Sequence, residues 1–168
     1  KQLARGADEQ QTALEDLEQA GRELTAARRA AQQKELAEKT HELAEEVREL
    51  IARQKTVIEA TERLAEEQQK AGKWTRPLSK AALSLGEEEA ELAEVTRGLS
   101  ELLRDIAAVR LTLDHATNDL ALAASRLRDK QLDEETRRGE TSALRLLESL
   151  SDALSPPKPE LSSNNDQQ

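Results

Sequence analysis

The sequence predicts an all-α protein: a long antiparallel helical hairpin, packed as a coiled coil, with a third helix at its base. The first observation is composition, because 35 % of the 168 residues are charged and the only aromatic residue is Trp74. Such a composition, rich in Ala, Leu, Glu and Arg, is typical of long helices. The second is that apolar residues recur every seven positions on both sides of Trp74, as in coiled coils. The third is that the helix breakers between these two runs cluster in the stretch AGKWTRPLS, residues 71–79.

The first helix is predicted over about residues 1–71. Its seam has two rows of seven-residue spacing, and Ile51 and Ile58 widen the apolar stripe beyond what a two-stranded coiled coil needs. Leu17 and Leu24 keep this spacing but fall out of phase with the rows, which indicates a local change of supercoiling. The rows consist of Leu36, Leu43, Leu50, Val57 and Leu64, and of Thr40, Val47, Gln54, Thr61 and Gln68.

The turn is predicted at residues 72–76. Gly72 fits the position just after a helix, where a left-handed backbone is common. Thr75 suits the N-cap of the next helix, and Pro77 suits its first turn. Trp74 then lies at the hairpin tip, and two interpretations stay open. The favoured one is that its ring covers the end of the seam, and the other is an exposed anchor for a partner, since Trp is enriched among binding hot spots.

The second helix is predicted over about residues 77–130. Its rows run without a change of phase, and no proline interrupts residues 78–128. One unbroken helix is the favoured interpretation, and a break near Ala107–Leu111 is the alternative. The rows consist of Leu78, Leu85, Leu92, Leu99, Ile106, Leu113, Leu120 and Leu127, and of Ala81, Glu88, Val95, Leu102, Val109, Ala116 and Ala123.

Folding the chain back at Trp74 brings the rows of the two helices into register. Both seams share this fold-back point, and it coincides with the cluster of helix breakers. The predicted pairs are Leu50 with Leu99, Val57 with Leu92, Leu43 with Ile106, Leu64 with Leu85, Leu36 with Leu113, Val47 with Leu102, Thr40 with Val109, Thr61 with Glu88 and Gln54 with Val95.

A third helix is predicted over about residues 133–154. Asp133 suits its N-cap, and two glutamates follow in its first turn, near the positive end of the helix dipole. This helix is expected to return along the second helix near Leu113–Leu127, and along the first near Leu14–Leu24. Its apolar stripe consists of Ala143, Leu144, Leu146, Leu147, Leu150 and Leu154.

Composition divides the chain into two parts. Residues 1–154 are expected to form the helical domain of hairpin and return helix. Residues 155–168 are rich in Pro, Ser, Asn and Gln, and they are expected to be a disordered tail or a linker.

Residue types that carry chemistry are few, so the sequence predicts no enzyme, no metal site and no cofactor. His41 and His115 are the only histidines, and both fall on outer helix faces. The acidic run at residues 86–94 is typical of a solvated helix face. Glu88 and Gln54 occupy seam positions instead, where polar groups specify register or partner at a cost in stability.

The charge balance limits the partners that the chain can have. A net charge of −9 argues against nucleic acid, which needs a clustered basic face, and against attraction to anionic lipid. No apolar run is long enough to span a bilayer. A protein partner or a homo-oligomer is therefore expected, and membrane association only through segments absent from this sequence.

Three stretches of the chain look familiar: RQKTVIEATERLAEEQ (53–68), EVTRGLSELL (94–103) and RLRDKQLDEETRRGETSALRLLESL (126–150). Over about residues 43–154 the chain resembles uncharacterised coiled-coil proteins of planctomycete-type bacteria. The resemblance implies a place in the bacterial cell envelope or periplasm, and a spacer or scaffolding role. It implies no functional residues.

Two functions of different class fit these features. The favoured one is a structural or interaction module, an elongated coiled-coil spacer or scaffold that docks a partner or self-associates, with Trp74, Ile51 and Ile58 as candidate partner-binding residues. The alternative is an amphipathic-helix protein that binds lipid or, like a chaperone, unfolded clients. Interfacial helices usually carry aromatic residues on the apolar face and basic residues opposite. The polar faces here are acidic, which favours the first function.

Overall fold

A computed structural model describes residues 2–155, and the side chains of residues 17–155. The all-α class is confirmed. Contacts divide the chain into two units at Glu42 and Leu43, and one helix runs through both. Residues 156–168 of the predicted tail lie outside the described residues. The helices of the described part are α1 (Gln2–Ala71), α2 (Arg76–Leu102), α3 (Ala107–Arg128) and α4 (Glu134–Leu154).

The turn between α1 and α2 has the chemistry that the sequence predicts. Gly72 adopts a φ of 65°, and its N–H donates to the carbonyl of Gln68 at 3.0 Å, which closes the end of α1 in the left-handed motif that glycine favours. Thr75 is the N-cap of α2, and its Oγ1 accepts a hydrogen bond from the N–H of Leu78 at 3.4 Å. Pro77 lies in the first turn of α2.

The single helix predicted over residues 77–130 is wrong, because the chain turns back at residues 103–106. The turn lies before Ala107–Leu111, where the alternative interpretation predicted a break. Folding α3 against α2 buries sides of both helices that a two-stranded arm would leave in water. Ala93 of α2 and Ala124 of α3 lie outside the predicted rows, and each is only 2 % exposed.

The turn between α3 and α4 is held by a left-handed residue and a cap. Lys130 has a φ of 59°, and Asp133 Oδ1 accepts the N–H of Thr136 at 3.1 Å, which confirms the predicted N-cap. Arg126 of α3 binds Asp133 at 2.6 Å. The helix packs on α3 as predicted. On α1 it contacts Thr61 and Lys55, because the turn after α2 brings α3 and α4 back alongside that segment. The side chain of Leu14, where the predicted contact begins, lies outside the described residues.

Residues 43–155 form a four-helix bundle with short connections. Neighbours in the chain are neighbours in space and run antiparallel, as such connections require. The contacts between neighbouring helices show the antiparallel direction, because the residue numbers of the contacting pairs rise on one helix as they fall on the next. They are Gln54–Glu89 and the cluster of Leu64 with Leu78 and Ala82 between α1 and α2, Gly86–Arg128 and Ser100–Asp114 between α2 and α3, Asp119–Gly139 and Arg126–Thr136 between α3 and α4, and Thr61–Glu140 and Lys55–Glu148 between α4 and α1.

The bundle core contains most of the residues that the heptads assign to it. Leu50, Leu99, Val57 and Leu92 are 2 %, 5 %, 3 % and 1 % exposed. Leu43 is half-buried and packs against their cluster. The predicted rows of α1 therefore mark its buried face in the bundle.

Several expected core positions are wrong, among them Ile106, Leu102 and Leu36. Ile106 is 51 % exposed and Leu102 is 75 % exposed, because the turn at residues 103–106 takes both away from α1. Leu36 is 67 % exposed, whereas its expected partner Leu113 is fully buried in the bundle. The antiparallel register predicted from the rows thus ends at the turn after α2.

Two glycines allow α3 to lie close to both of its neighbours. A Cβ added at Gly86 of α2 would lie 2.9 Å from the carbonyl oxygen of Ala124 and 2.8 Å from Cγ of Arg128. One added at Gly139 of α4 would lie 3.3 Å from the carbonyl oxygen of Asp119. Only glycine leaves room for the backbone of α3 at the first position.

Candidate functional site

The segment of α1 before the bundle presents leucines to solvent. Leu17, Leu24 and Leu36 are 70 %, 56 % and 67 % exposed, and residues 17–42 contain no buried side chain. Leu17 and Leu24 are two helical turns apart and share one face. This face is the first candidate site, and we refer to residues 17–42 as the α1 docking segment.

Inside the bundle, polar side chains from three helices meet with no exposure to solvent. Gln54 and Thr61 come from α1, Glu89 from α2 and Glu140 from α4, and each is 0 % exposed. Gln54 Nε2 donates to Glu89 Oε1 at 2.9 Å and to the carbonyl of Glu140 at 3.4 Å. Thr61 Oγ1 donates to Glu140 Oε1 at 2.7 Å. We refer to these four residues as the polar layer.

Burial shifts the acid–base behaviour of both carboxyl groups in the polar layer. It raises the pKa of Glu89 to about 8, with Glu140 and Glu88 adding to the shift and the hydrogen bond from Gln54 opposing it. Burial likewise raises the pKa of Glu140 to about 7, and the hydrogen bond from Thr61 opposes that shift. At pH 7 Glu89 is therefore mostly protonated.

Some oxygens of the polar layer lack hydrogen bonds. Within residues 17–155, Gln54 Oε1, Glu89 Oε2 and Glu140 Oε2 are buried without a partner. An unsatisfied buried oxygen costs about 1–3 kcal/mol, and more when it is charged. A proton on a carboxyl group removes its charge and turns one oxygen into a donor. The arrangement therefore favours the protonated acids, in agreement with the raised pKa values.

The seam position on α2 is one residue later than the rows predict. Glu88 is half-buried at the bundle surface, where Arg53 binds it at 2.7 Å, and it does not face Thr61. Glu89 takes the core position instead and bonds Gln54. Val95, the predicted partner of Gln54, is 41 % exposed. The shift arises because α2 packs against α3 as well as against α1.

The polar layer can hold protons, and its surroundings suggest no further chemistry. His41 and His115 are both exposed. Across the described residues, no group of three or more His, Asp or Glu side chains is placed to hold a metal ion. The layer is closed to solvent, so a substrate would have to part the helices to reach it.

The candidate partner-binding residues lie in the bundle unit. Trp74 is half-buried and packs against the cluster of Leu64, Leu78 and Ala82. The ammonium of Lys130 lies 6.0 Å from the centre of its ring, within the range of a cation–π contact. Trp74 thus lies where the seam-covering interpretation puts it. Ile51 and Ile58 are half-buried, and Ile51 packs against the core.

Sequence reasoning missed both acids of the polar layer. A signal existed for Glu140, because it precedes Ala143, Leu147 and Leu150 at helical spacing and so continues their stripe. For Glu89 the signal pointed elsewhere, since the seven-residue row assigned the seam to Glu88. Only the packing of α3 against α2, beside α1, distinguishes the two glutamates.

Comparisons of the chain with protein-family models, with curated proteins and with solved structures found no match. The resemblance to planctomycete coiled-coil proteins therefore stays a prediction. In residues 2–155, none of the helices combines the length and the apolar character that crossing a membrane requires.

Proposed function

We propose that the protein is a non-enzymatic interaction module, a helical bundle whose α1 docking segment binds a helix of a second copy. The observation that carries the proposal is the exposure of Leu17, Leu24 and Leu36, at 70 %, 56 % and 67 %. The coiled-coil packing expected from the heptads is proposed here for the contact between the two copies. The spacer or scaffolding role expected from the sequence would then be performed by the paired chains.

Helix physics supports a partner for this segment. An isolated helix is marginally stable in water, and most helical stability in proteins comes from packing an apolar face. Burying one leucine side chain contributes about 1.5–3 kcal/mol. The leucines of two α1 docking segments would therefore contribute to the stability of both the helix and its association.

Charge supports a second copy as the partner. The segment carries five acidic and five basic side chains, so it is neutral although the whole chain has a net charge of −9. Two copies of a neutral segment meet without net repulsion. Several charges pair within the helix, as Lys39 does with Glu35 at 2.8 Å. The acidic residues are Glu18, Glu23, Glu35, Glu38 and Glu42, and the basic residues are Arg22, Arg28, Arg29, Lys34 and Lys39.

The alternative function, binding of lipid or unfolded clients, has less support. An interfacial helix usually carries aromatic residues on its apolar face and an excess of basic residues opposite. The α1 docking segment has no aromatic residue and no excess of basic charge. Trp74, the only aromatic residue, packs at the end of the bundle.

The test is the mass of the full chain by size-exclusion chromatography with light scattering. The wild-type protein is expected to be a dimer, and the double variant Leu17→Asp/Leu24→Asp a monomer. Ala26→Asp is the matched control, because Ala26 is exposed on another face of the same segment. It should stay dimeric.

Two results would overturn the proposal. One is a double variant with the same mass as the wild type. The other is a monomeric wild type, and if such a monomer changes its Trp74 emission or helicity only when lipid vesicles are added, the alternative function is favoured.

A further inference from the structure

The three turns of the bundle differ in what holds them. Within residues 2–155, only Lys130 and Gly72 have a positive φ. Each of them lies in a turn that also has a capping side chain. The turn at residues 103–106, with the sequence LRDI, has neither a residue with positive φ nor a capping side chain. Its last residue, Ile106, is the N-cap of α3 and gives that helix no side-chain hydrogen bond. Isoleucine is among the poorest N-cap residues.

Local sequence favours a helix through this turn. The seven-residue rows cross it without a change of phase, and residues 99–113 contain neither glycine nor proline. The closed bundle also leaves large apolar side chains in water beside the turn. Leu102, Ile106 and Leu111 are 75 %, 51 % and 56 % exposed. Apart from backbone hydrogen bonds, such as the one that the N–H of Ile106 donates to the carbonyl of Leu103 at 2.9 Å, the turn is therefore maintained by the packing of α3 on α2 and not by capping side chains.

The contact between α2 and α3 is symmetric about Ala107. Gly86 lies beside Arg128, and Ser100 bonds Asp114, so the members of each pair are equally far from Ala107 in the sequence. If α2 and α3 joined into one helix, two such helices could pair antiparallel in the same register. Small residues at seven-residue spacing would line the first half of the contact, at Gly86, Ala93, Ser100 and Ala107, and Asp114 follows at the next position.

We propose that residues 103–106 are a hinge, and that two copies of the chain exchange halves through it. In the exchanged dimer, α2 and α3 form one continuous helix, and α1–α2 of each copy packs with α3–α4 of the other. Contacts between the halves, such as Thr61–Glu140 and Ser100–Asp114, form again between copies. Exchange of identical elements is a low-cost route to dimers for this reason.

The exchanged dimer also gains a contact that the closed bundle lacks. In the register of the α2–α3 contact, Leu103 of one copy lies opposite Leu111 of the other, and Ala107 meets its own counterpart. Leu111, which is 56 % exposed in the bundle, becomes part of this new contact. This inference goes beyond the proposed function and does not depend on the α1 docking segment.

A zero-length cross-link tests the exchange in the full chain. Lys55 Nζ and Glu148 Oε1 are 2.9 Å apart and belong to different halves, so a carbodiimide can join them by an amide bond. Isotope-labelled and unlabelled chains are mixed in urea below the unfolding midpoint, returned to buffer, cross-linked and separated by size. The exchanged dimer is expected to yield Lys55–Glu148 peptides that join labelled to unlabelled chains. A dimer formed only through the α1 docking segment would join Lys55 and Glu148 of the same chain.

Hinge variants give an independent test. Asp105 is exposed in the turn, and Asp105→Ala should raise the dimerisation constant about thirty-fold over Asp105→Gly, because alanine favours helix over glycine once in each of two hinges. Ala107→Pro should abolish exchange. Proline suits the first residue of α3 in the closed bundle but interrupts a continuous helix. Glu134→Pro, at the same position of α4, is the control and should exchange like the wild type.

Several outcomes would overturn the hinge. They are an Asp105→Ala chain without inter-copy Lys55–Glu148 links at its highest soluble concentration, equal yields of these inter-copy links from the two Asp105 variants, and an Ala107→Pro chain that still gives them. Each of these can occur whether or not the α1 docking segment self-associates, so the two proposals fail separately.

Discussion

Replacing Glu89 with Gln removes a titrating proton from the polar layer while keeping the shape of the side chain. Glu89 is fully buried and accepts a hydrogen bond from Gln54 at 2.9 Å. A glutamine resembles the protonated acid, so the hydrogen bond with Gln54 can be kept. The substitution therefore isolates the effect of ionisation on the stability of the bundle.

The pH dependence follows from the two pKa values of Glu89. Burial raises the pKa from 4.5 to about 8 in the folded chain. Below pH ~4.5 the carboxyl is protonated in both states, and its stability contribution is fully present. Between pH ~4.5 and ~8 only the unfolded chain releases the proton, so the free energy of unfolding falls by about 1.4 kcal/mol per pH unit. Above pH ~8 both states are ionised and the fall ends.

At pH 7 the free energy of unfolding has fallen by on the order of 3 kcal/mol, since pH 7 lies about 2.5 units above the pKa of Glu89 in the unfolded chain. Glu89→Gln should therefore be more stable than the wild type at pH 7 by up to about 3 kcal/mol, and by less than about 1 kcal/mol at pH 5. Glu140 is present in both proteins, so its own titration largely cancels from the difference.

Urea unfolding between pH 5 and pH 9 measures the effect. Trp74 packs in the bundle, so its fluorescence follows the unfolding of that unit, with far-UV circular dichroism as a second probe. Glu87→Gln is the control, because Glu87 is exposed on the same helix and the substitution makes the same chemical change at a carboxyl group that is not buried. If the free energies of wild type and Glu89→Gln run parallel over this range, the account of a buried, protonated acid is refuted.

Three further predictions use the same urea assay. Leu92→Ala should lower the free energy of unfolding by about 2–5 kcal/mol, because Leu92 is 1 % exposed, whereas Leu102, at 75 % exposed, should tolerate alanine within about 0.5 kcal/mol. Equal losses would contradict the turn at residues 103–106. Gly98→Ala should stabilise by about 1 kcal/mol, since the described chain leaves open space around it and alanine favours helix. Gly86→Ala should destabilise, because its methyl would meet a carbonyl oxygen of α3 at 2.9 Å, and a shared sign would contradict that close approach. Asp133→Ala should cost about 1 kcal/mol by removing the cap of α4, and no loss would contradict a stabilising role for this cap.

Features that depend on neighbouring residues could be predicted from the sequence. The caps at Thr75 and Asp133 and the left-handed Gly72 are set within a few residues of each helix end, so composition and spacing were sufficient. The buried face of α1 in the bundle was also readable, because Leu50 and Val57 recur at a strict helical period. Each of these signals is local or periodic.

The turn after α2 could not be read in the same way. Its residues favour helix, and the rows continue through Ile106 in phase. What decides the turn is the apolar area that four helices bury together, and this depends on faces such as Ala93 and Ala124 that a two-stranded alignment leaves out. The same change of neighbours moved the buried acid from Glu88 to Glu89. A long-range competition between a hairpin and a bundle leaves no signature in any single window of sequence.

The two close approaches to α3 have a consequence for how this chain can change over time. Gly86 and Gly139 bring α2 and α4 close to the backbone of one helix, so a bulkier residue at either position would push α3 away from that neighbour. A larger residue at one glycine would then be accepted only after a smaller residue arose on the facing side of α3, for instance at Ala123, which lies 3.7 Å from where a Cβ of residue 139 would be. Positions far apart in the chain are thereby expected to covary, and related sequences should keep the summed volume of such pairs nearly constant.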